Sequence, residues 1–171
     1  MKTINNRFFL FVLAMIVACF AGSCDNDDQT PVVEPATDYA DIQLQHIKAL
    51  ESEMTSAEIQ ASNASEILFN EGDVFVYLSS EGNNGKFKIL KIDTADNFKL
   101  TIEISNFNVD GSILLATNSL TVRGSYLCDL DIVAETSETP TDDFHWNRLT
   151  KWDTRFCPKN GAKFTKFVFK S

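Results

Sequence analysis

The sequence predicts a mainly β protein, a small antiparallel β-sandwich or barrel with a short N-terminal helical segment. Three observations carry this. Phe98, Leu100, Ile102 and Ile104 alternate strictly with Lys99, Thr101, Glu103 and Ser105, the period of a half-buried strand. Residues 120–132 alternate longest, with Leu120, Val122, Tyr126, Cys128, Leu130 and Ile132 in one phase. The turn signals "EGNNGK" at 81–86 and Asp110-Gly111 join neighbouring strands by tight hairpins, and no βαβ alternation is visible.

The elements follow in order. Residues 39–61 carry Ile42, Ile47, Leu50, Met54 and Ala57 at helix-like spacing, and Thr55 to Glu58 fits a capping box for a second short helix. Val74, Val76 and Leu78 alternate with Phe75 and Tyr77, so both faces of that strand are apolar, as in a strand covered on two sides. Phe87 and Ile89 share one phase, and Leu90 and Ile92 take the other, which places a bulge at 89–90. Residues 112–117 return from the second hairpin, and a strand rich in Phe and Lys at 163–170 ends the chain. A connection over 135–162 holds both tryptophans.

The chain has 171 residues, enough for one domain with its own core, and 44% of them are apolar. Its 24 acids against 15 Lys and Arg exclude bulk attraction to nucleic acid or to an anionic membrane surface. The charge is divided, however. Residues 145–171 hold seven cations and only Asp153 as an acid, a basic island suited to an anionic glycan or an acidic partner, or to the protein's own acidic loop.

The N-terminus reads as an address. Lys2 and Arg7 precede an apolar run from Phe8 to Phe20, which is shorter than the ~20 residues a membrane-spanning helix needs. Ala21, Gly22 and Ser23 lead to Cys24. This "FAGSC" ending resembles the lipobox of bacterial lipoproteins, with Ala21 where that motif usually carries Leu. The resemblance implies a signal peptide over 1–23, cleavage before Cys24 and acylation of Cys24. The acidic run Asp25, Asn26, Asp27, Asp28 resembles the surface-export signal of Bacteroidota lipoproteins. The implied location is the outer membrane, lipid-anchored and surface-exposed. The implied division is an acylated acidic tether over 24–38, a helical segment over 39–61 and a β domain over 62–171.

Candidate chemistry is sparse. With Cys19 in the signal and Cys24 lipidated, Cys128 and Cys157 remain, and in an oxidising compartment they are expected to form a disulfide across the base of the long connection. His46 and His145 are the only histidines, so a zinc site lacks ligands. The acids at 129–143 match no calcium-loop pattern, and no cofactor motif is present. Trp146 and Trp152, interleaved with His145 and Arg148, suit stacking on a sugar or gripping a protein, or else cap the core. Asp129 and Asp131, two apart on one strand face, offer the alternative of a glycan-cleaving enzyme. Asp93-Thr94-Ala95 resembles the O-glycosylation motif of exported Bacteroidota proteins, with Thr94 as the acceptor. The expectation is a lipid-anchored envelope module that binds a glycan or a protein partner.

Overall fold

A computed structural model of the chain describes residues 33–169. The expected signal peptide, Cys24 and the acidic run lie outside them. The described chain opens with a six-residue helix α1 (Leu44–Ala49) and a 3-10 turn (Glu51–Glu53). Ten strands follow: β1 (Ile59–Ser62), β2 (Val74–Leu78), β3 (Asn84–Asp93), β4 (Lys99–Phe107), β5 (Ile113–Val122), β6 (Tyr126–Asp129), β7 (Ala134–Thr136), β8 (Phe144–Arg148), β9 (Thr154–Pro158) and β10 (Lys163–Phe167). They form two antiparallel five-stranded sheets, in the orders β10-β2-β3-β4-β5 and β1-β9-β8-β6-β7. The sheets pack face to face as a sandwich and do not close into a barrel.

The alternation in β4 does what its period demands. Leu100, Ile102 and Ile104 are buried between the sheets, while Thr101, Glu103 and Ser105 face outward, half-buried. The register of β3 on β4 shifts between Ile89 and Lys91, where the sequence changes phase. Both hairpin turns form, with Gly82 and Gly111 in the left-handed region at φ 87° and 86°. The core between the sheets is a mesh of aromatic rings. Phe144 and Phe156 stack at 4.4 Å, and Phe156 meets Phe164 edge-on at 4.7 Å.

β2 is covered on both faces. Phe75 and Tyr77 enter the core between the sheets, while Val74 and Val76 belong to a second cluster with Ile42, Leu44, Ile47, Met54 and Phe107. The helical segment therefore docks on the outer face of the first sheet. Lys86, 4% exposed, secures it by donating its ammonium to the carbonyls of Tyr39 (2.6 Å) and Ile42 (2.8 Å). Burial pulls the Lys86 pKa down, yet the amine lies 4.4 Å from the centre of the Tyr39 ring, whose quadrupole favours the cation.

Three sequence expectations are corrected. No second helix starts at Thr55. Thr55 bridges Phe164, its hydroxyl accepts the Ala57 N–H, and β1 begins at Ile59. The long run 120–132 is not one strand. The chain leaves the first sheet after Val122 and enters the second at Tyr126, through Gly124 and a left-handed Ser125 at φ 68°. The alternation survives the corner because Leu120 and Val122 on one side and Cys128 and Leu130 on the other all face the same core. The 135–162 connection is not a loop. It contributes the end of β7 and all of β8 and β9, whose inward residues come only in short sets such as Phe144 with Trp146 and Thr154 with Phe156.

The expected disulfide is also overturned: Cys128 and Cys157 are both free thiols. Cys128 pairs with Phe144 on one side of β8, and Cys157 pairs with His145 on the other. Two strand spacings, about 10 Å, separate them, beyond the reach of a disulfide. They also point to opposite faces, because Phe144 faces the core and His145 faces away from it. Burial pushes the Cys128 thiol far up, and burial with Glu58 nearby pushes Cys157 up to about 11, so neither is a ready nucleophile.

Candidate functional site

Three turns converge at one end of the sandwich. They are 62–67 after β1, 94–98 between β3 and β4, and 149–153 between β8 and β9. Together they wall an open cleft of about 850 Å³. Lys151 and Trp152 line it from the third turn, Arg148 from the end of β8, and Thr94 and Asn97 from the second turn.

The third turn is built by Thr150. Its hydroxyl accepts the N–H groups of Trp152 (3.1 Å) and Asp153 (3.0 Å), which closes the hairpin without a glycine. The first turn locks onto it, as the Ser62 hydroxyl donates to the Trp152 carbonyl at 2.8 Å and accepts the Thr154 N–H at 3.1 Å. Lys151 and Trp152 are left facing solvent. The indole is 54% exposed, with the Lys151 ammonium 4.8 Å from its ring centre.

The second turn is strained. Asn97 and Phe98 are consecutive non-glycine residues in the left-handed region, at φ 53° and 55°. Asn tolerates this and Phe does not, at a cost of about 1–2 kcal/mol. One buried and one part-buried contact hold the turn. The Trp146 indole donates to the Phe98 carbonyl at 2.6 Å, and the Asn97 amide donates to the Gly124 carbonyl at 3.3 Å. The purpose is legible in Arg148. Its Nη1 donates to the Asn97 side chain, its Nε donates to the Thr150 carbonyl at 3.3 Å, and its guanidinium sits 5.5 Å from the Phe98 ring centre. The strained turn and the buried tryptophan thus aim one cation into the cleft.

The structure brings Arg148, Trp152 and Thr94 together, and Thr94 is exposed as a modification acceptor must be. It separates the other two candidates from them. Trp146 is 0% exposed in the core and acts only through Phe98. His145 lies half-buried on the outer face of β8, and burial lowers its pKa. Sequence reasoning missed Asn97, Phe98 and the 62–67 wall. Asn97 follows a turn-forming Asp-Thr-Ala-Asp, but nothing local announces that the turn meets Arg148 from another sheet.

Asp129 and Asp131 are not outward neighbours on one strand, because Asp131 lies in the turn after β6. With Asp143 they form the one cluster among the described residues able to surround a cation, their oxygens within 4.8 Å of one another. Those oxygens are largely occupied. Asp143 accepts the N–H groups of Ser80 and Leu130, both at 2.6 Å. Asp129 accepts those of Asp131 (2.9 Å) and Ile132 (3.2 Å) and the Thr141 hydroxyl (2.7 Å). Burial pushes the Asp143 pKa up to about 6, against the pull of its two N–H donors. The cluster clamps loops, with Asp129 3% exposed, Asp143 0% exposed and Asp131 half-buried. It sits by the β2–β3 turn, whereas the cleft sits by the β3–β4 turn. The ten residues of β3, about 30 Å, lie between them.

No protein-family model, curated protein or solved structure matches the chain.

Proposed function

We propose that the protein is a lipid-anchored lipoprotein of the cell surface whose sandwich is a binding module, taking a saccharide in the cleft between Trp152 and Arg148. The observation that carries this reading is the pairing of an exposed indole with a guanidinium held in place by three neighbours. A flat apolar face stacks on the C–H face of a sugar ring, and fixed donors select its oxygens. The glycan-cleaving alternative through Asp129 and Asp131 lacks such support, because Asp129 is buried with its oxygens accepting N–H and hydroxyl groups, which leaves only Asp131 half-buried. The lipobox-like ending at Cys24 and the acidic run after it support the anchor and its outward orientation. Thr94 at the cleft rim supports O-glycosylation at the same end of the domain, where an attached sugar would compete with ligand.

Two experiments test the reading. A glycan array probed with the full-length protein in detergent should show saccharide capture that Trp152→Ala abolishes. Capture that is indifferent to Trp152 would overturn the cleft as the site. For the anchor, Cys24→Ser should remove labelling by a fatty-acid analogue and release the protein from the membrane fraction, and persistent labelling would refute lipidation at Cys24. Replacing Asp27 and Asp28 with Ala should reduce protease accessibility on intact cells if the acidic run directs export.

A further inference from the structure

We propose that the ligand of this cleft is an acidic saccharide, whose sugar carboxylate sits between Arg148 and Lys151 while its ring lies against Trp152. This rests on the reading of the cleft as a saccharide site and names the class of sugar. The first support is charge. In a chain with 24 acids and 15 Lys and Arg, the cleft is lined by two cations, Arg148 and Lys151, and one acid, Glu66. Neither cation makes an ion pair among the described residues, whereas nearby Arg155 is paired to both Glu58 and Asp153. Two unpaired cations therefore meet in one cleft of an acidic protein.

The second support is how Arg148 is held. Its Nε and Nη1 donate to neutral acceptors, the Thr150 carbonyl and the Asn97 amide oxygen, and its Nη2 has no protein partner among the described residues. Contacts of this kind fix the plane of the guanidinium without cancelling its charge. A planar guanidinium with a free edge matches a carboxylate, and its charge-assisted bonds are stronger than those to a neutral hydroxyl. The third support is the distance between charge and platform. The Lys151 ammonium lies 4.8 Å from the Trp152 ring centre, so an anion it holds is beside the indole. In a uronic or sialic acid the carboxylate is attached directly to a ring carbon, so a sugar at the indole carries its charge close to that ammonium. The strain at Asn97 and Phe98 fits this account as the cost of aiming Arg148 in advance of binding.

Isothermal titration of the full-length protein in detergent tests the proposal, with trigalacturonate against its methyl ester and 3′-sialyllactose against lactose. At least one acidic sugar should bind about tenfold or more tighter than its neutral partner, and the difference should shrink with added salt. Arg148→Gln and Lys151→Gln should each lower the ratio of acidic to neutral affinity. Lys151 is exposed and makes no ion pair among the described residues, so its variant keeps the fold even if Arg148→Gln loosens the turn. Equal affinity for acidic and neutral sugars would overturn the acidic class and leave the saccharide cleft standing. No binding of any of the four sugars, or binding unchanged in Trp152→Ala, would overturn both.

Discussion

Asp143 shows how one buried side chain sets a pH dependence. Its pKa stands at about 6 in the fold against an ordinary 3.8, because burial penalises the charged form and Asp131 adds repulsion. A raised carboxyl pKa means the native state binds the proton more tightly than the unfolded chain does. The stability it contributes is fully present below the unfolded pKa and is lost as pH rises through about 6, a change of roughly 2–3 kcal/mol. His145 acts in the opposite sense, since its lowered pKa makes stability fall as pH drops through the histidine range. The informative quantity is therefore the difference between wild type and Asp143→Asn in denaturant midpoint from pH 4 to 7. The variant should lie lower throughout the acid end, having lost an acceptor for the Ser80 or Leu130 N–H, and the gap should narrow as pH rises. A gap independent of pH would mean that Asp143 is not the titrating group.

At the scale of elements, the docked N-terminal segment and the corner at Gly124 give the sharpest expectations. Ile47 is 0% exposed beneath α1, so Ile47→Ala should cost about 2–4 kcal/mol in chemical denaturation, although α1 is only six residues long. Lys86→Met would strand the Tyr39 and Ile42 carbonyls and should cost about 1–3 kcal/mol. At the corner, a methyl group on Gly124 would collide with the carbonyl of Asn97, which is backbone and cannot rotate away. Gly124→Ala should therefore destabilise the protein by roughly 2 kcal/mol or more and weaken ligand capture through Asn97.

The legible elements carry a sustained alternation or a turn glycine: β4 continues a four-residue apolar face from Phe98, β2 is apolar on both faces, the hairpins carry Gly82 and Gly111, and the bulge in β3 sits at a change of phase. β8 and β9 each place only two to three residues inward between polar neighbours, too few to distinguish a strand from a decorated loop. That misreading generated the disulfide, since a loop base needs a staple and a three-strand ribbon does not. The long run through Gly124 failed for the converse reason, because a chain that changes sheet at a corner can keep its phase. In the cleft, Trp152 and Arg148 were legible as residue types. Asn97 and Phe98 were not, because their role depends on a contact between turns about 50 residues apart.

At the scale of the whole molecule, the sandwich separates two kinds of polar chemistry. One end buries carboxylates to tie loops together, and the other exposes cations and an indole around a cleft. The two tryptophans divide the same way, with Trp146 sealed in the core and Trp152 54% exposed. This division makes intrinsic fluorescence a reporter of the site. Titration of the full-length protein with trigalacturonate and with 3′-sialyllactose, followed by tryptophan emission, is therefore the decisive measurement. At least one of the two should give the wild type a saturable change that disappears in Trp152→Phe. A change that persists without Trp152, or no change at saturation with either sugar, contradicts a saccharide site at this indole.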